Sequence, residues 1–253
     1  MGVKSASKLI SILSAMVILL IGGATKVRAG WSVDVEGGAA FNGYNDVRIP
    51  GNTGTDLSLS EELKSDAVGF WRVRLAVDLG QRHRLLLLAA PLRIEASGAV
   101  DRDVDYNGAR FTAGESLTAR YRFDSYRLTY HYALIDSDRL RFDLGFTAKI
   151  RDASIGIEGG NKSSEKTNTG FVPLVNFALD WSLGPRLGLV FEGDALAAPQ
   201  GRAEDILLAF YADIADGLRL RSGYRILEGG ADNDEVYNFT LVHYLSFGVT
   251  LAF

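Results

Sequence analysis

The chain is 253 residues long, with 27 basic and 31 acidic side chains, a formal net charge of −4 and no cysteine. The missing cysteine excludes disulfides, thiol catalysis and thiolate metal sites. The acidic balance argues against a nucleic-acid partner, which would need a basic face to neutralise phosphates.

The first element is an export signal. Residues 1–29 carry Lys4 and Lys8, an apolar run from Leu9 to Gly22, and Val27-Arg28-Ala29 ahead of Gly30. This pattern predicts cleavage after Ala29, with Ala24 as the alternative site. The apolar run is short for a helical span, which needs ~20 residues. Every charge ahead of Gly30 is basic (Lys4, Lys8, Lys26, Arg28), so removal takes the net charge from −4 to −8. The remainder, residues 30–253, is expected to form a single domain. It holds no long apolar segment, so only a closed barrel could make it integral to a membrane.

Ten segments then alternate apolar with polar or small residues, the period of a half-exposed strand. The first, Trp31 to Ala40, sets Trp31, Val33 and Val35 against Ser32, Asp34 and Glu36. In the second, Val68 to Leu79, Trp71, Val73, Leu75 and Val77 oppose Arg72, Arg74 and Ala76. In the third, Arg84 to Ala96, Leu86, Leu88, Leu92 and Ile94 oppose Arg93 and Glu95. The fourth runs to Leu134, with Tyr126, Leu128, Tyr130 and Tyr132 outward and Arg127, Thr129 and His131 inward. The fifth, Leu140 to Arg151, sets Leu144, Phe146 and Ile150 against Asp143, Thr147 and Lys149.

The sixth segment, Phe171 to Leu183, shows Val175, Phe177 and Trp181 against Asn176 and Asp180. In the seventh, Leu187, Leu189 and Phe191 oppose Glu192 and Asp194, and in the eighth, Ile206, Leu208 and Phe210 oppose Asp205 and Tyr211. The ninth carries Arg219, Arg221 and Arg225 inward, and the tenth runs from about Val236 to the end. Short joints near 80, 137, 185 and 216 alternate with long polar stretches near 42–66, 97–115, 158–170, 197–203 and 228–235. Ten strands with both ends on one side of a membrane require four turns and five loops, and short turns alternating with longer loops is the barrel pattern.

The last eight residues, Ser246-Phe247-Gly248-Val249-Thr250-Leu251-Ala252-Phe253, alternate to a terminal aromatic. This octet resembles the C-terminal signal of bacterial outer-membrane β-barrels, which the barrel-assembly machinery recognises on the closing strand. As architecture, the resemblance covers the whole mature chain: export signal, alternating strands, joint asymmetry and terminal Phe. It implies an all-β, transmembrane, antiparallel up-and-down β-barrel of ten strands, with eight or twelve as alternatives. It also implies an integral place in the outer membrane of a Gram-negative bacterium, with Gly248, Leu251 and Phe253 as the assembly signal. The partners implied are outer-membrane lipid and lipopolysaccharide, with the assembly machinery and periplasmic chaperones during biogenesis. The finished barrel is expected to be a monomer.

One run breaks the alternation. From Leu117 to Leu134 the apolar residues are odd-numbered up to Phe123 and even-numbered from Tyr126. A one-residue slip swaps faces, so a β-bulge is expected near Asp124-Ser125. The alternative is that 110–123 extends the sheet beyond the bilayer; a separate hairpin crossing there would raise the count to twelve.

Ten strands enclose a narrow lumen. Its expected charge network, or pore lining, is Arg72, Arg74, Arg127, Asp143, Glu192, Asp194, Arg221 and Arg225, with Asn176 among them. Desolvated charges are seldom left alone, so pairing across the lumen is favoured over an open pore. Asp101-Arg102-Asp103-Val104-Asp105 spaces carboxylates like half a calcium loop but lacks the Gly and closing Glu. It reads as a solvated loop, with cation bridging to lipopolysaccharide as the alternative, and Gly229 to Glu235 reads as an acidic hairpin tip. No metal site and no cofactor is expected.

Two enzyme families use small barrels of this kind. Omptin-type proteases pair acids with an Asp-His pair at the outer rim, and their motifs are not visible here. Of the three histidines, His83 and His131 fall near the turn side, and His243 is phased towards lipid. Lipid A deacylases place His, Ser and an acid on the lipid-facing surface. His243 and Ser222 both face outward, but their levels differ and no acid orients them. The expected function is a non-enzymatic barrel with a structural or surface-interaction role. A narrow pore for small ions or solutes and a lipid A-modifying or omptin-like hydrolase are the alternatives.

Overall fold

The computed structural model describes residues 30–199 and 201–253. The predicted export signal, residues 1–29, lies outside the described residues. Fourteen β-strands follow in order: β1 (Trp31–Arg48), β2 (Leu57–Ser58), β3 (Val68–Asp78), β4 (His83–Ala90), β5 (Arg93–Ala99), β6 (Val104–Tyr106) and β7 (Ala109–Phe111). Then come β8 (Ser116–Asp136), β9 (Leu140–Gly159), β10 (Lys162–Ser182), β11 (Leu187–Ala198), β12 (Gly201–Ala215), β13 (Leu218–Asp232) and β14 (Tyr237–Ala252).

Each barrel strand pairs antiparallel with its neighbours, and β14 pairs back to β1 from Ser32↔Ala252 to Arg48↔Tyr237. β4 and β5 are two parts of one stave, interrupted at Pro91, which has no N–H to give the ladder. Leu92 restores the pairing by exchanging backbone bonds with Phe123 of 3.2 and 3.0 Å. With β2 an appendage of β1, and β6–β7 a separate hairpin, the barrel has ten staves in up-and-down order.

Towards the short turns the amphipathicity is that of a strand between lipid and a polar interior. Trp71, Phe146, Phe210 and Phe247 are exposed outward, while Glu36, Arg127, Asp205 and Arg225 are buried inward. One row reverses this. Across the β8–β9 pair, outward Tyr126 faces outward Ile150, and the next outward row towards the loops is Asp124 facing Asp152. Arg93 bonds Asp124 at 2.8 Å and Arg122 bonds Asp152 at 2.7 Å, so the two opposed carboxylates are each neutralised. Beyond that row the outside is charged, with Arg120 bonded to Glu95 and Glu158. The inside becomes apolar: Leu117, Ala119 and Tyr121 on β8 and Ile155 and Ile157 on β9 are buried.

The expected bulge at Asp124-Ser125 is therefore absent. Register runs unbroken through Asp124↔Asp152 and Ser125↔Arg151, and the shifts fall instead at Asn42/Tyr44, Ala133/Ile135 and Asp213/Ala215. The parity change records a change of surroundings, with the backbone face constant. The sheet runs beyond this row from Asp124 to Leu117, roughly 20–25 Å at ~3.3 Å per residue.

The same extension corrects several loop boundaries. The stretches 158–170 and 197–203, expected as loops, lie mostly within β9–β10 and β11–β12, whose pairing runs out to Gly159↔Lys162 and Ala198↔Gly201. Polar residues there face water on the outside of a sheet, so alternation fades although the strand continues. The first two joints fold inward over the mouth. Leu57, Leu59 and Leu63 from the first and Val100, Val104, Tyr106 and Phe111 from the second pack with Val47, Ile49 and the inner face of β5, β8 and β9 into the apolar core. Tyr106 fixes this cap by donating its hydroxyl to the Ile155 carbonyl at 2.7 Å. The segment Asp101 to Asp105 is thus only partly solvated: Val104 is buried, Arg102 reaches Glu62, and Asp103 and Asp105 bind Arg110.

Candidate functional site

Below the cap, inward side chains from opposite walls meet at mid-lumen. Period two on β1, β3, β8, β11, β12 and β13 aims Asp34, Glu36, Arg72, Arg74, Arg127, Glu192, Asp194, Asp205, Arg221 and Arg225 into the same narrow space. Asp205 is the hub. It accepts bonds from Arg72 at 2.9 Å, Arg127 at 2.5 Å and Arg225 at 2.6 Å. Arg225 grips Glu36 with two bonds of 2.8 Å. Arg221 binds Glu36 at 2.9 Å and Asp34 at 2.7 Å, and Arg74 takes Glu192 in a two-pronged pair of 2.7 and 3.1 Å. Asp194 accepts from Arg127 at 2.6 Å, Thr147 at 2.5 Å and Asn176 at 2.7 Å.

Five arginines thus face five carboxylates. A buried ion is tolerated only when its partners replace the lost water, and the planar guanidinium fork does so two oxygens at a time. The space left around the network is small, voids of about 30 and 10 Å³. A vestibule of about 870 Å³ lies on the turn side and a pocket of about 170 Å³ on the loop side. The lumen is divided by an ionic partition with an apolar cap above it.

No family model and no curated protein matches the chain. Among solved structures it is similar to the outer membrane protease OmpT from Escherichia coli, at 9% sequence identity. That match covers 88% of this chain and 97% of that one, with a TM-score of 0.54. The chain has the fold of the bacterial outer-membrane β-barrels. Weaker likenesses are to the transport unit of the autotransporter AIDA-I from Escherichia coli (6% identity, 92% and 94% coverage, TM-score 0.47) and to the attachment invasion locus protein Ail of Yersinia pestis (10%, 88% and 99%, 0.40). At these identities the likeness concerns the fold alone.

Within this outer-membrane-type barrel, seven of the eight charged residues singled out from sequence meet in the partition. Asp143 stands apart in the vestibule, where Arg141 two residues along its own strand bonds it at 3.0 and 3.1 Å. Asp34, Glu36 and Asp205 are members that sequence reasoning read as inward but did not select. Asp205 stands inside its strand, because β12 begins at Gly201. On the third segment the leucines face the lumen: Leu86 and Leu88 pair with Thr129 and Arg127 and line the central voids. Arg93 and Glu95 lie outward, above the apolar band. Leu85 to Leu88 is apolar on both faces, so alternation there could not orient the strand.

The terminal residues also acquire partners. A Cβ on Gly248 would stand 2.6 Å from Arg221 Nε and 2.8 Å from its Cζ, so this glycine leaves the room Arg221 needs to reach Asp34. Leu251 pairs with Val33 and Leu218 and faces outward. Phe253 exchanges backbone bonds with Trp31 at 2.8 and 3.2 Å while its ring remains 80% exposed.

The histidines are dispersed. His83 bonds the Tyr130 hydroxyl at 2.7 Å near a turn, His131 is buried against Asn176, and His243 meets Tyr224 on the outer surface. Ser222 pairs with Phe247, whereas His243 pairs with Ile226, so the two lie at different levels. Among the described residues no cluster of three or more His, Asp or Glu is arranged to hold a metal ion.

Proposed function

We propose that this chain is a plugged, non-enzymatic barrel of a Gram-negative outer membrane, with its turns in the periplasm and its loop end outside. Its outer half would serve as a rigid structural or surface-interaction element. The membrane reading is supported by the exposed apolar band and by its sharp end at the Asp124–Asp152 row. Its partners would be outer-membrane lipid and lipopolysaccharide. The observation that carries the closed-barrel reading is the partition, where five arginines pair with five carboxylates and the space left among them comes to voids of about 30 and 10 Å³.

A narrow ion or solute pore is the second reading, favoured by the 870 Å³ vestibule that reaches the partition from one side. Single-channel recording in planar bilayers separates the two. The purified barrel is expected to be silent; current steps altered by Arg72 or Arg221 substitution would establish the pore instead. A lipid A mass that shifts on expression, and ceases to shift with His243→Ala, would move the reading to a hydrolase.

A further inference from the structure

The partition has one cation too many. Lys149, inward on β9 beside Arg127, is 2% exposed and has no carboxylate in ion-pair contact. Its Nζ lies 4.7 Å from the centre of the Phe123 ring, where the electron-rich face offers partial compensation. Two residues along the same strand, Arg151 bonds only the neutral Asn168 side chain, and its Nε is buried without a partner. Neither Lys149 nor Arg151 has an acid in ion-pair contact among the described residues. Both line the 170 Å³ pocket on the loop side of the partition.

That pocket is amphipathic. Lys149 and Arg151 supply its unpaired charge, beside the pairs Lys166–Glu235 and Arg202–Glu228, while Tyr121, Phe123 and Leu227 supply apolar wall. Exposed Asn168 and Glu235 are among its lining residues. Its volume would hold about half a dozen waters or one single-ring organic molecule. A buried unpaired ammonium is costly, and a carboxylate ligand would relieve it while its apolar body covers the ring face. We propose that this pocket binds a small monocarboxylate carried on an aromatic ring or short apolar chain, held by Lys149 and Arg151. Access from the medium rests on the reading of the loop end as the outer end; binding itself does not.

The test is calorimetric titration of the full mature barrel, folded in detergent, with benzoate and with neutral benzyl alcohol as probes. Benzoate is expected to bind saturably at millimolar or tighter Kd, and benzyl alcohol not at all. Lys149→Met should weaken benzoate by at least about tenfold, equivalent to ~1.4 kcal/mol. Leu227→Trp, which fills the cavity and leaves its charge, should weaken it similarly, and it carries the test if Lys149→Met fails to fold. No saturation up to about 10 mM, equal binding of benzyl alcohol, or benzoate binding unchanged in Leu227→Trp would overturn the site. A barrel that conducts yet still binds benzoate through Lys149 would overturn the closed-barrel reading and leave this one standing.

Discussion

The turn half and the loop half of this barrel are built on the same staves with opposite chemistry. Near the turns, polar side chains fill the inside and apolar ones cover the outside. Past the Asp124–Asp152 row, Leu117, Tyr121, Ile155 and Ile157 fill the inside, and Arg120, Arg122 and Glu158 cover the outside. No bulge or crossover marks the change on β8 or β9 at that level. A strand therefore has no amphipathicity of its own; each level takes the pattern that its two surroundings demand. The turn half is held by ion pairs inside a hydrophobic sleeve, and the loop half by a conventional apolar core that the cap completes.

The largest effect should come from the hub of the ionic half. Asp205→Ala leaves Arg72 without an acid and takes one acid each from Arg127 and Arg225 in a buried site. It is expected to cost about 3–5 kcal/mol, read as a lower urea midpoint for loss of heat-modifiable gel migration. A midpoint unchanged from the parent would mean the partition is wet and the pairs solvent-screened. In the apolar half, Leu63→Ala removes a fully buried cap residue at a cost of about 2–5 kcal/mol. That loss should stay local, as faster hydrogen exchange over 57–64 and 100–111 with barrel migration retained. Collapse of the whole barrel would show that the halves are one cooperative unit.

Outside, the halves should answer one substitution differently. Phe146→Arg on the apolar band is expected to cost about 2–4 kcal/mol, whereas Thr118→Arg on the charged extension should stay within about 0.5 kcal/mol. Equal penalties would place the membrane boundary elsewhere.

The smallest effect is a pH response of the cap. Glu62 accepts from Arg102 at 3.0 Å, and this bond holds its carboxyl below the ordinary 4.5. Partial burial opposes the shift, and the Ser58 N–H at 2.9 Å supports it. A carboxyl lowered on folding adds stability above its unfolded value, lost as pH falls through the folded one. Proteolysis of the first two loops should therefore rise below about pH 4.5, and Glu62→Gln should remove that dependence while raising the neutral-pH rate.

Much of the turn half was legible because an apolar surround favours period two: Phe142, Leu144, Phe146 and Ala148 could face only one way, and only the doubly apolar run Leu85 to Leu88 hid its phase. The β14 to β1 closure followed from the same alternation. The loop half was not legible in the same way. With water outside and a core inside, polar and apolar residues exchange parity, so a continuous strand looked like a slip at Asp124-Ser125 and its polar tip looked like a loop. The central site was half visible. Inward arginines declare themselves by phase, but which acid each one meets depends on how far strands lean around the barrel. Nothing local joins Asp205 to Arg72, or Glu36 to Arg225. Lys149 was seen as inward, and its lack of a partner emerges only once every other pair is assigned.

The seam has a consequence for biogenesis. Arg221 of β13, Asp34 of β1 and Thr250 of β14 form one clasp, with Thr250 donating to Asp34 at 2.6 Å and Arg221 bonding the other oxygen at 2.7 Å. These contacts join the first stave to the last two, so none can exist until β14 has been made. Contacts of such sequence separation are slow to form, and until they do β1 and β14 are both raw sheet edges able to pair with another chain. Closing the clasp is thus the step that ends the chain's exposure to aggregation, and variants at Asp34 or Gly248 should be judged by how long they stay open as well as by how stable they become.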